Sequence, residues 1–275
     1  MEKVSAARVE LKENRAKEEY PLILAAFRRL MDSLENSAES WHIMEEIIML
    51  RTAPLYSRVL EGLKIDFDRA LELLRNHNDF TTLQDKEERD ILVAAIDNLV
   101  EFAAAEEYTM MDDILKHSED EGFEDYEEIC KKYNLTYAET ENEQVLYAAG
   151  VAGWWINRSS DALITYMTQG DERVRDTHLA LEGLTYPKSS FPSDLIPPIE
   201  WGCRCYLLSD GNEASASASL KNDFREKVNP VFAESLAMKG RIFSGAHPYF
   251  TSDLRKHTRL QTIIKRIKDK LLCKR

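Results

Sequence analysis

The sequence predicts a mostly helical α+β fold, with a helical N-terminal part followed by a small mixed α/β motif domain. Before residue 118, apolar residues recur at the three- and four-residue spacing of amphipathic helices. Asp161 to Thr168 alternates between apolar and polar residues, which is typical of a strand. Four prolines from Pro187 to Pro198 indicate an extended, irregular loop, and Cys203 to Leu208 follows as a candidate second strand.

Prolines are expected to delimit the first helices. Pro21 is placed to open a helix at its first turn, ahead of the apolar positions of Leu22 to Leu30. A second apolar stripe, Trp41 to Leu50, is expected to stop before Pro54, because proline lacks the N–H that a helix interior uses. A third helix is predicted over Tyr56 to Arg75 by the same periodicity.

The middle of the chain predicts further helices. After a polar break over Asn76 to Asp79, a long helix is expected from about Lys86 to His117. The acidic segment Ser118 to Glu128 lacks the alternating Asp or Asn ligands of a calcium loop, so a solvated loop and helix start are expected. Asn134 is expected to end a short helix that follows.

Glu139 to Asn157 predicts another helix, which has an unusual number of small residues. Ala148 to Gly153 gives it a face that lets another element approach closely.

These elements predict three parts of the chain. The helical N-terminal part covers residues 1–117, the motif domain covers 118–209, and a linker with a basic tail covers 210–275. The low-complexity stretch Gly211 to Ser219 marks the linker.

The charge of the chain is uneven. The net charge is −13, yet Arg255 to Arg275 contains nine Lys or Arg and one Asp. Apolar residues recur at helical spacing in this tail, so it predicts a basic amphipathic helix that contacts DNA, an acidic partner or a membrane surface, or packs on its own protein. The candidate DNA-binding residues are Arg255, Lys256, Arg259, Lys265, Arg266, Lys268 and Lys270.

No stretch of the sequence has the roughly 18 consecutive apolar residues of a membrane-spanning helix. The charged N-terminus is not that of a secretory signal, and the four cysteines do not form a disulfide framework. These features predict a protein that begins in a cytoplasm.

The most specific pattern lies between Tyr166 and Cys205. Its skeleton is T-x-x-D-x-R-V-R-x-x-H-x-x-L-x-G, then the proline-rich loop, then P-P-x-x-x-G-C-R-C. Over roughly residues 105–208 the chain resembles the phage Mu F-like family of minor capsid and head-morphogenesis proteins. The matching residues are Thr168, Asp171, Arg173, Val174, Arg175, His178, Leu181, Gly183, Pro197, Pro198, Cys203, Arg204 and Cys205.

The resemblance implies a structural protein of a bacteriophage or prophage rather than an enzyme. Family members act in assembly of the phage head, associate with the portal protein and are linked to DNA packaging or delivery. The expected partners are therefore the portal protein, other capsid proteins and phage DNA, without a membrane or a small-molecule substrate. The expected locations are the host cytoplasm during virion assembly and then the virion head.

The residues of this pattern also predict a polar cluster with a structural role. Asp171 is suited to accept hydrogen bonds from the Arg173 guanidinium or from backbone N–H groups that open a helix. If that helix includes positions 171, 175 and 178, their side chains share one face. The expected cluster consists of Asp171, Arg173, Arg175, His178, Gly183, Cys203, Arg204 and Cys205.

Three of these residues suit a structural zinc ion. His178, Cys203 and Cys205 are zinc-binding residue types, with Asp171 or a water as the fourth ligand. The resemblance implies a four-cysteine zinc site in related members, which carry C-x-x-C in place of Arg175 and His178; this chain departs from them at both positions. Arg175 cannot bind a metal, so a metal-free cluster with two buried thiols, or a redox role, remains an alternative.

A catalytic interpretation is weaker. A Cys–His pair can act as nucleophile and base. However, the sequence has no nucleotide-cradling glycine loop, no H-E-x-x-H and no G-x-S-x-G. The alternatives to a head protein are a DNA-binding module acting through the basic tail and, with less support, a Cys/His enzyme or a toxin-related protein.

Overall fold

The structure is a computed structural model that describes residues 16–76, 79, 82–121, 126–209 and 228–273. It confirms the mostly helical α+β fold, with a small antiparallel sheet in the order β2-β1-β3. The expected linker Gly211 to Ser219 lies outside the described residues, as do residues 122–125 of the acidic segment. The elements are α1 (Ala16–Asp32), α2 (Ser37–Leu63), α3 (Phe67–Arg75), α4 (Leu83–Glu121), α5 (Tyr126–Lys131), a π-helical turn (Lys132–Tyr137), α6 (Ala138–Ile156), β1 (Leu163–Met167), α7 (Asp176–Leu179), β2 (Thr185–Pro187), β3 (Tyr206–Leu208), α8 (Ser252–Lys256) and α9 (Thr258–Leu271).

The chain divides into two compact units, each built from separate stretches of sequence. Among the described residues, the first unit takes residues 59–95 and 144–246. The second takes residues 16–58, 96–143 and 247–273. Each unit therefore combines stretches from all three of the parts into which the sequence was divided.

The two prolines lie inside helices, so the prediction that they delimit helices was wrong. Pro21 lies within α1, whose described part begins at Ala16, and Pro54 lies within α2. An interior proline costs a helix about 3 kcal/mol. Ile48 and Leu55, on either side of Pro54, are fully buried, and burial of such side chains offsets that cost.

The single helix predicted over Tyr56 to Arg75 is in fact two helices. The turn after α2 places Lys64 in the left-handed region, at a φ of 59°. Asp66 then caps α3 by accepting a hydrogen bond from the backbone N–H of Arg69 at 2.8 Å.

The long helix predicted from Lys86 to His117 is confirmed as α4. Its start is fixed by a reciprocal capping arrangement: the Thr82 hydroxyl accepts from the Asp85 N–H, and the Asp85 carboxylate accepts from the Thr82 N–H. Asn134 does not end a helix, contrary to expectation. It is buried in the π-helical turn that joins α5 to α6, where its side chain donates to Glu107 at 3.2 Å.

The small-residue face of α6 makes the close approach that its sequence predicts. In the first unit, a Cβ added to Gly62 near the end of α2 would lie 2.6 Å from the Cβ of Ala149 and 2.7 Å from the carbonyl oxygen of Leu146. Only a glycine at position 62 fits against this face of α6.

The sheet belongs to the first unit, and β1 is its central strand. The strand predicted near Asp161 to Thr168 is confirmed as β1, whose Ile164 and Tyr166 are fully buried. In the antiparallel register, Met167 pairs with Tyr206 and Leu163 pairs with Pro187. The second predicted strand is shorter than expected, because β3 begins only after Cys205. The three-residue strand β2 was not predicted.

No helix in the described part of the chain is both long enough and apolar enough to cross a membrane.

Candidate functional site

The motif has two halves, residues 168–183 and residues 197–205, which meet at one end of the sheet in the first unit. β1 and β3 are antiparallel, so the residues that follow β1 and the residues that precede β3 lie at the same end. The Asp171 carboxylate accepts hydrogen bonds from both terminal nitrogens of Arg204, at 2.8 and 2.6 Å. This two-bond geometry is the strongest form of a carboxylate–guanidinium contact.

Asp171 lies in a turn and not on a helix. One of its carboxylate oxygens accepts from the Arg173 N–H at 3.1 Å, a contact by which Asp side chains favour turns. The hydrogen bond from Arg204 lowers the pKa of the Asp171 carboxyl. Helix α7 starts only at Asp176, so the expectation that positions 171, 175 and 178 share a helical face was wrong.

Arg173 and Arg175 differ in what they contact. The Arg175 guanidinium donates to the carbonyl oxygen of Trp201 at 2.8 Å, which is a second bond between the two halves of the motif. Arg173 is exposed, and the described residues include no hydrogen-bond partner for its guanidinium. Arg173 therefore bonds to the polar cluster through its backbone N–H, which donates to Asp171, and not through its guanidinium.

The third contact between the halves is buried and involves His178, Cys203 and Cys205. The His178 Nδ1 atom lies 3.2 Å from the Cys205 Sγ and 3.9 Å from the Cys203 Sγ. All three side chains are buried, and their ligand atoms lie within 4.8 Å of one another. The cysteines are free, and both thiols face inward while Arg204 between them reaches Asp171.

The two thiols differ in their affinity for a proton. A hydrogen bond from the Cys203 thiol lowers the pKa of Cys205 to about 5, and His178 and Tyr166 add to this effect. The same bond raises the pKa of Cys203 well above its ordinary value. The Tyr147 hydroxyl donates to the carbonyl oxygen of Cys205, which holds the backbone of this segment against α6.

Gly183 contributes backbone geometry and no polar side chain. Its φ of +83° lies in the left-handed region, and its N–H donates to the Tyr166 carbonyl at 2.9 Å. Glycine adopts this conformation without strain, so the chain can turn back from α7 toward β2.

The basic tail packs within the second unit. The apolar side of α9 is buried at Leu260, Ile263, Ile264 and Ile267. Several of the candidate DNA-binding residues are paired there: Arg259 donates to Ser37, Arg266 to Glu45, and Lys268 to Glu101 and Asp97. Arg255, Lys256, Lys265 and Lys270 are exposed.

Sequence reasoning missed a buried ionic cluster in the second unit. Arg51 donates to Glu106 at 2.7 Å, to Glu141 at 2.6 Å and to Asn142 at 2.9 Å. Burial raises the pKa of the carboxyls of Glu106, Glu107 and Glu141. One signal was present in the sequence: Glu106 lies four residues from Phe102 and from Met110, so it occupies a position on the apolar face of α4.

Comparisons with known proteins give little further information about the chain. No family model matches it, and no solved structure does. A stretch of 81 residues is 35% identical to an uncharacterized protein of the archaeon Methanocaldococcus jannaschii; the match covers 30% of this chain. The chain spans about a tenth of the length of that curated relative, so the similarity is to a part of a much longer protein.

Proposed function

We propose that this chain is a structural minor head protein of a tailed phage or prophage, which acts in head morphogenesis in contact with the portal protein. The observation that carries the proposal is the contact between the two halves of the motif. Four polar side chains on which the resemblance to Mu F-like proteins rests bond across the motif: Asp171 to Arg204, Arg175 to the Trp201 carbonyl oxygen, and His178 to the two thiols.

This arrangement supports a scaffold more than a catalytic centre. A nucleophilic cysteine and its histidine base must reach a substrate. Here His178 is 3% exposed, Cys203 is 5% exposed and Cys205 is 3% exposed. These residues bond to one another and are buried from water. Such an arrangement is suited to holding a loop in place and not to catalysis.

The portal protein is the partner to test first, with contact through the helical N-terminal part or the motif domain. The chain is co-expressed with the portal protein of its own phage, captured through an affinity tag, and analysed for bound portal. A tail protein of the same phage serves as the negative control. We expect the portal to be retained and the tail protein to be lost; failure of the portal to bind, whether monomeric or assembled, would contradict the proposed contact.

A second candidate, binding of phage DNA by the tail, is favoured only by the exposed cations of α8 and α9. Arg255, Lys265 and Lys270 are exposed and have no partner among the described residues. Replacing Lys265 and Lys270 with alanine should weaken DNA binding and reduce its salt dependence if this candidate is correct. Salt-independent or absent binding by the wild-type chain would exclude it.

A further inference from the structure

We propose that His178, Cys203 and Cys205 bind one zinc ion, with the histidine coordinating through Nδ1. In a tetrahedral site with bonds of about 2.05 Å to nitrogen and 2.3 Å to sulfur, the nitrogen and a sulfur lie about 3.6 Å apart. The His178 Nδ1 lies 3.2 Å from one sulfur and 3.9 Å from the other. The two separations bracket the tetrahedral value, so small side-chain movements bring all three atoms to bonding distance of one ion.

The chemistry of the three ligands selects zinc. Thiolate sulfur and imidazole nitrogen are the ligands of structural zinc sites, whereas calcium and magnesium take oxygen ligands. Two thiolates also neutralise the two charges of Zn²⁺. Because an isolated charge in the protein interior is costly, neutrality matters at a site this thoroughly buried.

The described residues supply three of the four ligands of a tetrahedral zinc ion, which leaves the fourth position to a water molecule. Within the described part of the chain, the group of potential metal ligands at this place has three members, His178, Cys203 and Cys205. Asp171, the other expected candidate, uses both carboxylate oxygens on Arg204. Arg175 is directed to the carbonyl oxygen of Trp201, where it links the two halves of the motif by a hydrogen bond.

The ion cross-links the two ends of the connection between His178 and Cys203, which is flanked by short secondary-structure elements. His178 belongs to a helix of four residues, and Cys203 lies 25 residues further on, just before a strand of three residues. Elements this short do not hold a long connection closed by their own hydrogen bonds. A metal bound across the connection stabilises the folded state by its free energy of binding.

The test is the metal content of the full-length chain, purified without chelator from zinc-containing medium. We expect about one zinc per chain, because the three ligand atoms lie within 4.8 Å of one another and can surround one ion, with loss of the metal in Cys203→Ser and in Cys205→Ser. Cys273→Ser, which removes a cysteine from the second unit, is the matched control and should keep its zinc. Because the proposal concerns the fold of the motif and not its partner, it stands or falls independently of portal binding.

Cobalt(II) provides a readout that does not depend on a substituted protein remaining folded. Added to the wild-type chain after removal of zinc, it should give thiolate-to-cobalt charge-transfer absorption and the intense visible bands of a tetrahedral site. Added zinc should abolish both. A wild-type chain that is folded by circular dichroism, holds no zinc and gives no such bands overturns the proposal, as does zinc that survives both serine substitutions.

Discussion

At the scale of single residues, burial separates motif side chains that look equivalent in the sequence. His178 is buried against two thiols, Asp171 forms a half-exposed ion pair, and Arg173 is exposed without a side-chain partner in the described chain. The sequence identified all three as motif residues, because residue type and order are written in it. It did not distinguish them, because burial depends on which distant segments fold over each side chain.

This difference predicts a graded series of alanine substitutions. His178→Ala leaves buried thiols without their partner and should lower the free energy of unfolding by about 1–3 kcal/mol. Asp171→Ala removes an exposed ion pair, so its cost should stay below about 1 kcal/mol. Arg173→Ala should leave stability unchanged. Denaturant unfolding followed by tryptophan fluorescence measures the series, and an Arg173→Ala cost equal to that of His178→Ala would refute it.

A second prediction at this scale concerns the buried carboxyl of Glu107. Burial, reinforced by the charge of Glu106, raises the pKa of Glu107 well above its ordinary value. A carboxyl with a raised folded-state pKa contributes stability below its unfolded-state pKa, and this contribution is lost as pH rises through the folded-state value. Glu107→Gln imitates the protonated carboxyl and does not titrate. The free energy of unfolding of this variant, relative to that of wild type, should therefore increase as pH rises above about 4.5.

The variant and wild type are compared at each pH, because other groups change the stability of both proteins in the opposite direction. Burial lowers the pKa of His247 to about 4, so the contribution of this residue to the free energy of unfolding is lost as pH falls toward that value. That effect cancels when Glu107→Gln is compared with wild type at each pH. A flat difference for Glu107→Gln would mean that its carboxyl is ionised in the folded protein.

At the scale of elements, the sharpest prediction concerns two glycines at the contact between α2 and α6. An alanine at Gly62 would place its Cβ 2.7 Å from the Leu146 carbonyl oxygen and 2.8 Å from the Gly150 nitrogen, and neither backbone atom can move alone. Gly62→Ala should therefore destabilise the first unit by about 1–3 kcal/mol, despite the better helix propensity of alanine.

Gly150 supplies the matched control on the opposite helix. A Cβ at this position has as its nearest neighbour the Gly62 carbonyl oxygen at 3.9 Å, an ordinary contact. Gly150→Ala should be neutral or stabilising by up to about 1 kcal/mol, because alanine is the better helix former. Thermal unfolding of the two variants compares them directly; equal effects would mean that the helices are further apart than the structure has them.

The elements that the sequence predicted well are those with long periodic patterns, such as α4 and α6. Periodicity failed where tertiary packing overrode a local signal. Pro54 is a helix breaker by its chemistry, yet α2 continues past it between buried apolar residues. Strand β2 has three residues, too few for an alternation to be detected, and it exists because β1 offers a partner.

At the scale of the whole molecule, the division into two units was beyond the reach of the sequence. The first unit joins stretches that have 48 residues between them, and the second joins stretches that have 37 and 103 residues between them. Patterns within a few residues of one another do not indicate such distant pairings. The segment after the linker is an example. Phe232 and Phe243 pack on the ring of Trp201, and Asn229 donates to Glu200, so this segment completes the first unit beside the cysteines.

The central claim is that this chain is a structural component of a phage head, and the most direct test is the protein composition of purified procapsids and mature particles from the phage or prophage that encodes it. Quantitative mass spectrometry should find the chain in both, in a small and fixed ratio to the portal protein. Its complete absence from both kinds of particle, in cells where the chain is expressed and heads assemble, would contradict the claim.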